Sequence, residues 1–427
     1  MKSNYKGIGD CIRQIKVKNT EGKYDLLLGI NIDKYFMPSV ANVVGTDLRR
    51  YKVVKKNQFA CNRMHVGRDY RIPMALSKSE DPFIVSPAYT VFEIIDESNL
   101  LPEYLMMWFS RPEFDRECWF HTDADVRGGL PWDLFCDIEL PIPSIEKQRD
   151  IVNEYNTITN RIKLNEQLNQ KLEETAQALY KHWFVDFEFP AYLSGTLSGV
   201  EGYKSSGGKM VYNEELDKEI PEGWNCVELG SIVNHKKGKA FKSDLYQDLG
   251  VPIVRVSDLT KKSIDYGACL FVDEKYFDEF SDVELFEDDI IITSVGSWAS
   301  NQNSAVGKVV KVPRGIKKSL LNQNMVRLRT NNNEFQLVLY SALSRKEFSY
   351  YVVSGAQGSA NQASVTLDHL FSYKLCLPNT EVLRLHLIQF NLIFNCASLF
   401  DSEIKTLKEI KELLLSKMTK VEEVIIN

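Results

Sequence analysis

Ser110-Arg111-Pro112-Glu113-Phe114 is answered further along the chain by Ser344-Arg345-Lys346-Glu347-Phe348. Trp132-Asp133-Leu134-Phe135 is answered by Asp368-His369-Leu370-Phe371, and Leu140-Pro141-Ile142-Pro143 by Leu375-Cys376-Leu377-Pro378. The three echoes keep their order and share an offset of about 235 residues, too long for a solenoid repeat. The third echo in each half opens a long charged stretch of helical character. The spacing predicts the duplication of a whole domain together with the helix that follows it. A chain built from two similar halves most simply touches two similar things.

Length and composition suit that reading. At 427 residues the chain can hold two to four domains, each with its own core. A hydrophobic content of 44% and a charged content of 26% describe an ordinary globular protein. No apolar run approaches the roughly 18 residues of a membrane span, and no apolar signal core follows Met1-Lys2-Ser3-Asn4-Tyr5-Lys6. The eight cysteines are scattered without a CxxC pair, and the six histidines form no HxxxH or HExxH cluster. Reduced thiols, a cytoplasmic location and no metal site are therefore expected.

Two long stretches fit helices. Residues 144–187 and 379–427 form the expected central and C-terminal helices. Ser144 is placed to cap the first, which carries apolar residues three and four apart, among them Ile151, Tyr155, Leu172, Leu179 and Trp183. The second carries Leu385, Ile388, Leu407, Leu414 and Met418 at similar spacing. A helix of about 38 residues is about 57 Å long. Its narrow apolar stripe needs a partner, and the other helix packed antiparallel is the obvious one. Residues 188–219, rich in Gly and Ser, read as a flexible connection. Residues 1–143 and 220–378 read as mixed domains. In the first, strands are expected at 23–28, 89–95 and 138–143 and a helix at 101–119. In the second, strands are expected at 251–256, 290–293, 308–312 and 373–377 and a helix at 335–353. The fold expected is α+β: two similar mixed α/β domains separated by two long antiparallel helices, a coiled-coil-like stalk with a pseudo-two-fold internal repeat.

Net charge is −6, yet cations cluster. Arg49, Arg50, Lys52, Lys55, Lys56, Arg63, Arg68 and Arg71 share their stretch with only Asp47 and Asp69. No acid lies between Asp289 and Glu334, a stretch holding Lys308, Lys311, Arg314, Lys317, Lys318, Arg327 and Arg329. Lys236, Lys237, Lys239 and Lys242 surround Gly238. Lysine and arginine attract phosphates, whereas base edges need Arg or Lys for guanine and Asn or Gln for adenine. Asn57, Gln58, Asn62, Arg63, His65 and Arg68 are candidates in the first half. Ser297, Ser300, Asn301, Gln302 and Asn303, beside Trp298, are candidates in the second. Two such patches reach one duplex if held near one helical turn apart, about 34–36 Å. There is no GxxxxGK[ST] loop, no glycine-rich cofactor turn and no GxSxG elbow. Asp273-Glu274-Lys275 lies in an acid-rich run and reads as solvated surface.

The run Glu173-Glu174-Thr175-Ala176-Gln177-Ala178-Leu179-Tyr180-Lys181-His182-Trp183-Phe184-Val185-Asp186-Phe187 resembles the end of the central helix in specificity subunits of type I restriction-modification systems. Ile220-Pro221-Glu222-Gly223-Trp224, followed by Glu228-Leu229-Gly230, is similar to the start of their second target-recognition domain. Residues 138–148 and 367–378 resemble the exits of their two recognition domains. The likeness covers nearly the whole chain. Gln148 has no clear counterpart near Leu383, and the second helix lacks a His-Trp-Phe end. The resemblance implies a non-catalytic reader of double-stranded DNA, each domain taking one half of a split, asymmetric target while the helices set the unread spacer. It implies docking of two methyltransferase subunits, with Leu172, Leu179, His182, Trp183, Phe184, Leu407 and Leu414 as candidate contacts, and of restriction subunits. S-adenosylmethionine and ATP-Mg would be bound by those partners and no cofactor by this chain. Two other readings stand beside it: a protein scaffold with incidental basic patches, and a DNA-metabolism enzyme with a degenerate active site.

Overall fold

The computed structural model describes residues 5–39, 45–64, 66–122, 128–189, 204–205, 207–298, 305–315, 318–359, 361–378 and 380–418. Two compact units emerge: Met1–Lys163 with Ile404–Asn427, and Leu164–Glu403. His65, Asn301, Gln302 and Lys317 lie outside the described residues, as do Ser300 and Asn303.

In the first unit, β1 (Tyr5–Gly7) leads into β2 (Ile12–Ile15), followed by β3 (Phe59–Cys61), β4 (Met74–Leu76) and β5 (Thr90–Ile94). Three helices follow: α1 (Pro102–Phe109), α2 (Pro112–Phe120) and α3 (Trp132–Asp137). Then β6 (Glu139–Pro141) returns to pair with β1, and α4 (Ile145–Tyr180) begins. The central sheet has the order β2-β5-β3-β4, antiparallel throughout. Its core is aromatic, with Phe59, Phe92, Phe109, Phe114 and Phe135 in ring contact.

The second unit opens with a hairpin, β7 (Met210–Asn213) and β8 (Lys218–Pro221), in a segment whose composition suggests only a flexible connection. It continues with β9 (Asn225–Glu228), β10 (Val233–Lys237), β11 (Ile290–Thr293), β12 (Val309–Lys311) and β13 (Met325–Thr330). The helices α5 (Gln336–Leu343), α6 (Lys346–Ser354) and α7 (Leu367–Phe371) come next, then β14 (Lys374–Leu377) and α8 (Thr380–Lys417). The sheet order is β10-β13-β11-β12, again antiparallel throughout, and β14 returns to pair with β9. From β9 to α8 each of these elements has its counterpart in the first unit, the β7–β8 hairpin being an addition, so the duplication predicted by the echoes is a duplication of topology. Ile290 and Ile292 face one core while Ile291 faces another, so β11 is apolar on both sides and shows no alternation.

The first echo is a helix corner. Ser110 and Ser344 are still helical (φ −79°, ψ −6° and φ −77°, ψ −1°), and Arg111 and Arg345 are extended (ψ 139° and 156°). The single helices expected over 101–119 and 335–353 are therefore each two helices. Pro112 explains the first break, since it disfavours a helical Arg111 and has no N–H to donate. Lys346 occupies its place in the second, so the corner belongs to the fold and not to the proline. Phe114 and Phe348, one turn on, are both buried. The second echo holds with its register moved by one: the fully buried residues are Phe135 and Leu370. The strand expected over 23–28 is confined to Leu28–Ile30, because the Asn19 side chain bonds both the N–H and the C=O of Tyr24 and keeps that backbone out of a ladder.

Early α4 and late α8 share the first unit's core, through Val152, Leu415 and Met418. Late α4 and early α8 share the second's, where Trp183 lies 5.8 Å from Phe390. The long helices are therefore antiparallel. Ser144 Oγ accepts the Lys147 N–H at 3.3 Å, the cap expected at the start of α4.

Candidate functional site

The basic stretch of the first unit divides by what each cation touches. Arg49 and Arg50 are exposed on a short turn at Leu48–Arg50. Lys55 is exposed, and Lys56 is exposed but ion-paired with Glu80. Arg68 pairs with Asp69 at 2.7 Å, and Arg71 with Asp33 at 3.2 Å. Lys52 donates to the Tyr89 carbonyl, and Arg63 donates to Thr90 Oγ1 and the Leu130 carbonyl beneath Trp132. These two hold the domain together. Gln58 is buried and bonded to Glu93, Asn57 in a left-handed turn donates to Glu97, and Asn62 accepts the Met64 N–H. Burial, with repulsion from Arg63, Lys16 and Lys18, holds the Lys52 ammonium below the usual lysine range. Lys16 and Lys18 are exposed beside it and extend the patch. They were missed in the sequence because they lie over 30 residues upstream; the Lys18–Lys52 bridge brings them in.

In the second unit the acid-free stretch does not produce an acid-free surface. Acids just upstream of it reach across to its cations. Lys311 and Arg314 both pair with Asp288, at 2.8 and 2.6 Å, and Arg314 also donates to Asn395 on α8. Arg329 pairs with Asp289 at 2.6 Å, Arg327 is buried against the Glu284 carbonyl, and Lys308 donates to the Leu259 carbonyl. Burial raises the Asp288 carboxyl, but Lys311 and Arg314 outweigh it and hold the group below its ordinary range. The outward cations are elsewhere. Lys236 and Lys239 flank Asp282 at 2.7 Å each, Lys237 and Lys242 are exposed, and Lys318 is exposed with its ammonium 4.5 Å from the Phe277 ring. The two lysines keep Asp282 ionised to lower pH than usual.

Ser297 and Trp298 end a strand at Val295–Gly296 that pairs with Ala363–Ser364, itself paired with Gln357–Gly358. Trp298 Nε1 donates to the Ser359 carbonyl at 2.7 Å. This presents a second polar tip absent from the sequence reading, with Gln357, Ser359, Asn361 and Gln362 exposed. A Cβ on Gly358 would meet the Gln362 carbonyl at 2.0 Å, so the tip requires glycine there. The amide run itself was the available signal.

Among the helix residues singled out, Trp183 and Phe184 are buried in the second unit's own core, stacked among Tyr180, Phe189 and Trp224. Leu172, Leu179, Leu407 and Leu414 are half-buried, and His182 is exposed. Exposed apolar residues on the same helices are Leu164, Leu168, Ile388, Leu392, Leu399, Ile410 and Leu413. Among the described residues there is no group of three or more His, Cys, Asp or Glu placed to hold a metal, and no helix long and apolar enough to cross a membrane.

Two copies of one antiparallel domain, each with outward lysines or arginines and each carrying one end of a shared helix pair, define a two-module binding protein. Residues 221–414 match the family profile of the type I restriction modification DNA specificity domain. The chain is 27% identical over 341 residues to the type I restriction enzyme MjaIX specificity subunit of Methanocaldococcus jannaschii, covering 76% of this chain and 70% of that one. It is 22% identical over 471 residues to the HindI specificity subunit of Haemophilus influenzae, covering 96% and 97%. The crystal structure of the S subunit of a type I restriction-modification system from M. genitalium is similar at a TM-score of 0.48 and 15% identity, over 97% of this chain and 95% of that one. Residues 221–414 therefore carry a type I restriction modification DNA specificity domain, and most of the chain is similar to specificity subunits of type I restriction-modification systems. Members of that family are non-catalytic DNA-recognition subunits.

Proposed function

We propose that each recognition domain reads one half of a split, asymmetric sequence in double-stranded DNA, and that α4 and α8 fix the unread spacer. The observation that carries this is the repeated sheet, β2-β5-β3-β4 and β10-β13-β11-β12, with different side chains on the same frame. An identical frame supports the same mode of contact, and different loops support different base sequences. Arg49, Arg50, Lys55, Lys16 and Lys18 suit phosphates in the first domain, and Lys236, Lys237, Lys239, Lys242 and Lys318 in the second. The amide-bearing tip at 357–362 suits adenine edges. The exposed leucines and isoleucines of α4 and α8 suit two methyltransferase subunits, with restriction subunits joining them. S-adenosylmethionine and ATP-Mg would then reside in those partners.

Sequencing that reads base modification directly tests this in a host carrying the chain and its methyltransferase partner. A bipartite adenine-methylated motif with an unspecified spacer, lost on deletion of this chain, is the expected result. A continuous motif, or one that survives the deletion, overturns it.

A further inference from the structure

Two cysteines face each other across a strand pair. The β9–β14 register places Cys226 directly opposite Cys376. The Leu229 N–H donates to the Tyr373 carbonyl at 2.8 Å, in the same register. Antiparallel pairs alternate between hydrogen-bonded and non-hydrogen-bonded sites. Counting back three positions from Leu229–Tyr373 makes Cys226–Cys376 a non-hydrogen-bonded site. Such sites bring Cα atoms to about 4.5 Å with side chains on one face, inside the roughly 4.4–6.8 Å that a disulfide spans. Both thiols are free in the structure.

The surroundings divide the labour between them. Cys376 is buried in a small core with Phe187 and Ile220, against which Met210, Leu216 and Trp224 pack. That core joins the end of α4, the β7–β8 hairpin and the last strand before α8. Cys226 is half-exposed, with Glu215, Lys218 and Lys374 around it. One thiol is open to a small oxidant and the other is shielded behind it.

We propose that Cys226 and Cys376 are a redox-responsive dithiol that closes to a cross-strand disulfide, stapling β9 to β14, the last strand before α8. The oxidant class is a small disulfide such as oxidised glutathione. The Cys226 thiolate attacks one glutathione sulfur, forming a mixed disulfide and releasing one glutathione thiolate. Cys376, giving up its proton, then attacks the Cys226 sulfur and releases the second glutathione. Two protein thiols are oxidised, one small disulfide is reduced, and both protons end on glutathione. Burial pushes the Cys376 thiol up to about 12, and burial with Glu215 raises Cys226. Closure is therefore slow at neutral pH and speeds up about tenfold per pH unit, since the thiolate is the attacking species. The bond closes a loop of about 150 residues, so its main effect is to restrict the unfolded chain.

The test treats the full chain with oxidised glutathione at pH 7 to 9, alkylates the remaining thiols, and maps peptides without reduction. The expected product is a Cys226–Cys376 linked peptide, lighter than its two parts by two hydrogens and absent from Cys226→Ser. Exposed Cys396 serves as the control for oxidant access. A Cys226 that stays glutathionylated, or stays free while Cys396 reacts, overturns the proposal. The oxidised chain is also expected to melt at least about 3 °C higher. An unchanged or lower midpoint in linked protein overturns the stapling.

Discussion

Gln148 shows how one side chain fastens an element to a domain. It is fully buried in the first turn of α4. Its Nε2 donates to the Asn99 and Pro143 carbonyls at 2.8 and 2.9 Å, and its Oε1 accepts the Leu101 N–H at 2.9 Å. Every polar group it buries is matched. Gln148→Ala leaves two carbonyls and one N–H unpaired beside a small cavity, and a loss of about 3 kcal/mol is expected. Urea unfolding followed by tryptophan fluorescence measures it. Asp288 is the electrostatic counterpart in the second unit, held below its ordinary range by Lys311 and Arg314 in spite of burial. A carboxyl depressed in the folded state stabilises the fold above the unfolded value and loses that contribution as pH falls through the folded one. The melting midpoint is therefore expected to drop below about pH 4. Asp288→Asn should cost about 2 kcal/mol at pH 7 and flatten that acid slope. A variant as acid-sensitive as the parent would assign the slope to other carboxylates.

At the scale of elements, β10 runs past its ladder into Gly238, whose N–H donates to the Met325 carbonyl. A Cβ there would meet the Asn322 carbonyl oxygen at 2.0 Å. Backbone on both sides leaves no side chain to move aside. Gly238→Ala is expected to destabilise by more than about 1 kcal/mol and to weaken DNA binding by the intact complex, because Lys237 and Lys239 flank the point of strain. Electrophoretic mobility shifts on methyltransferase-bound protein check the second effect. Elements of this kind were unequally legible in the sequence. The duplication could be read, since Phe114 and Phe348, or Leu140 and Leu375, fill the same buried positions and are constrained alike. The long helices could be read, since 3.6-residue periodicity over some ten turns has few other solutions. The Ser-Arg corner could be found but not interpreted, because the proline that explains it in one copy is missing in the other. The hairpin at 210–221 was hidden by the glycines before it. The basic site was legible only as segments. Charge counted along a chain omits pairing across it, so Arg314 and Arg329 read as surface cations until Asp288 and Asp289 are seen to reach them.

The two long helices each begin in one unit and end in the other, the boundaries falling after Lys163 and after Glu403. Modular reading predicts that replacing residues 10–143 by the same region of a relative alters one half of the methylated target only. Change in both halves, or in neither, refutes it. The helices make a separate and sharper prediction. Four residues inserted after Lys163 and four after Glu403 add about one turn to each, about 6 Å of axial length with about 40° of rotation. Both insertions are needed, because one alone would put the two stripes out of step and unpair the helices. DNA rises about 3.4 Å per base pair, so the unread spacer is expected to lengthen by about two base pairs while both read sequences stay as they were. Base-modification sequencing of a host carrying the doubly extended chain gives the spacer directly. A spacer of unchanged length, with methylation retained, would mean that the distance is set elsewhere in the complex and that α4 and α8 serve only to carry its partners.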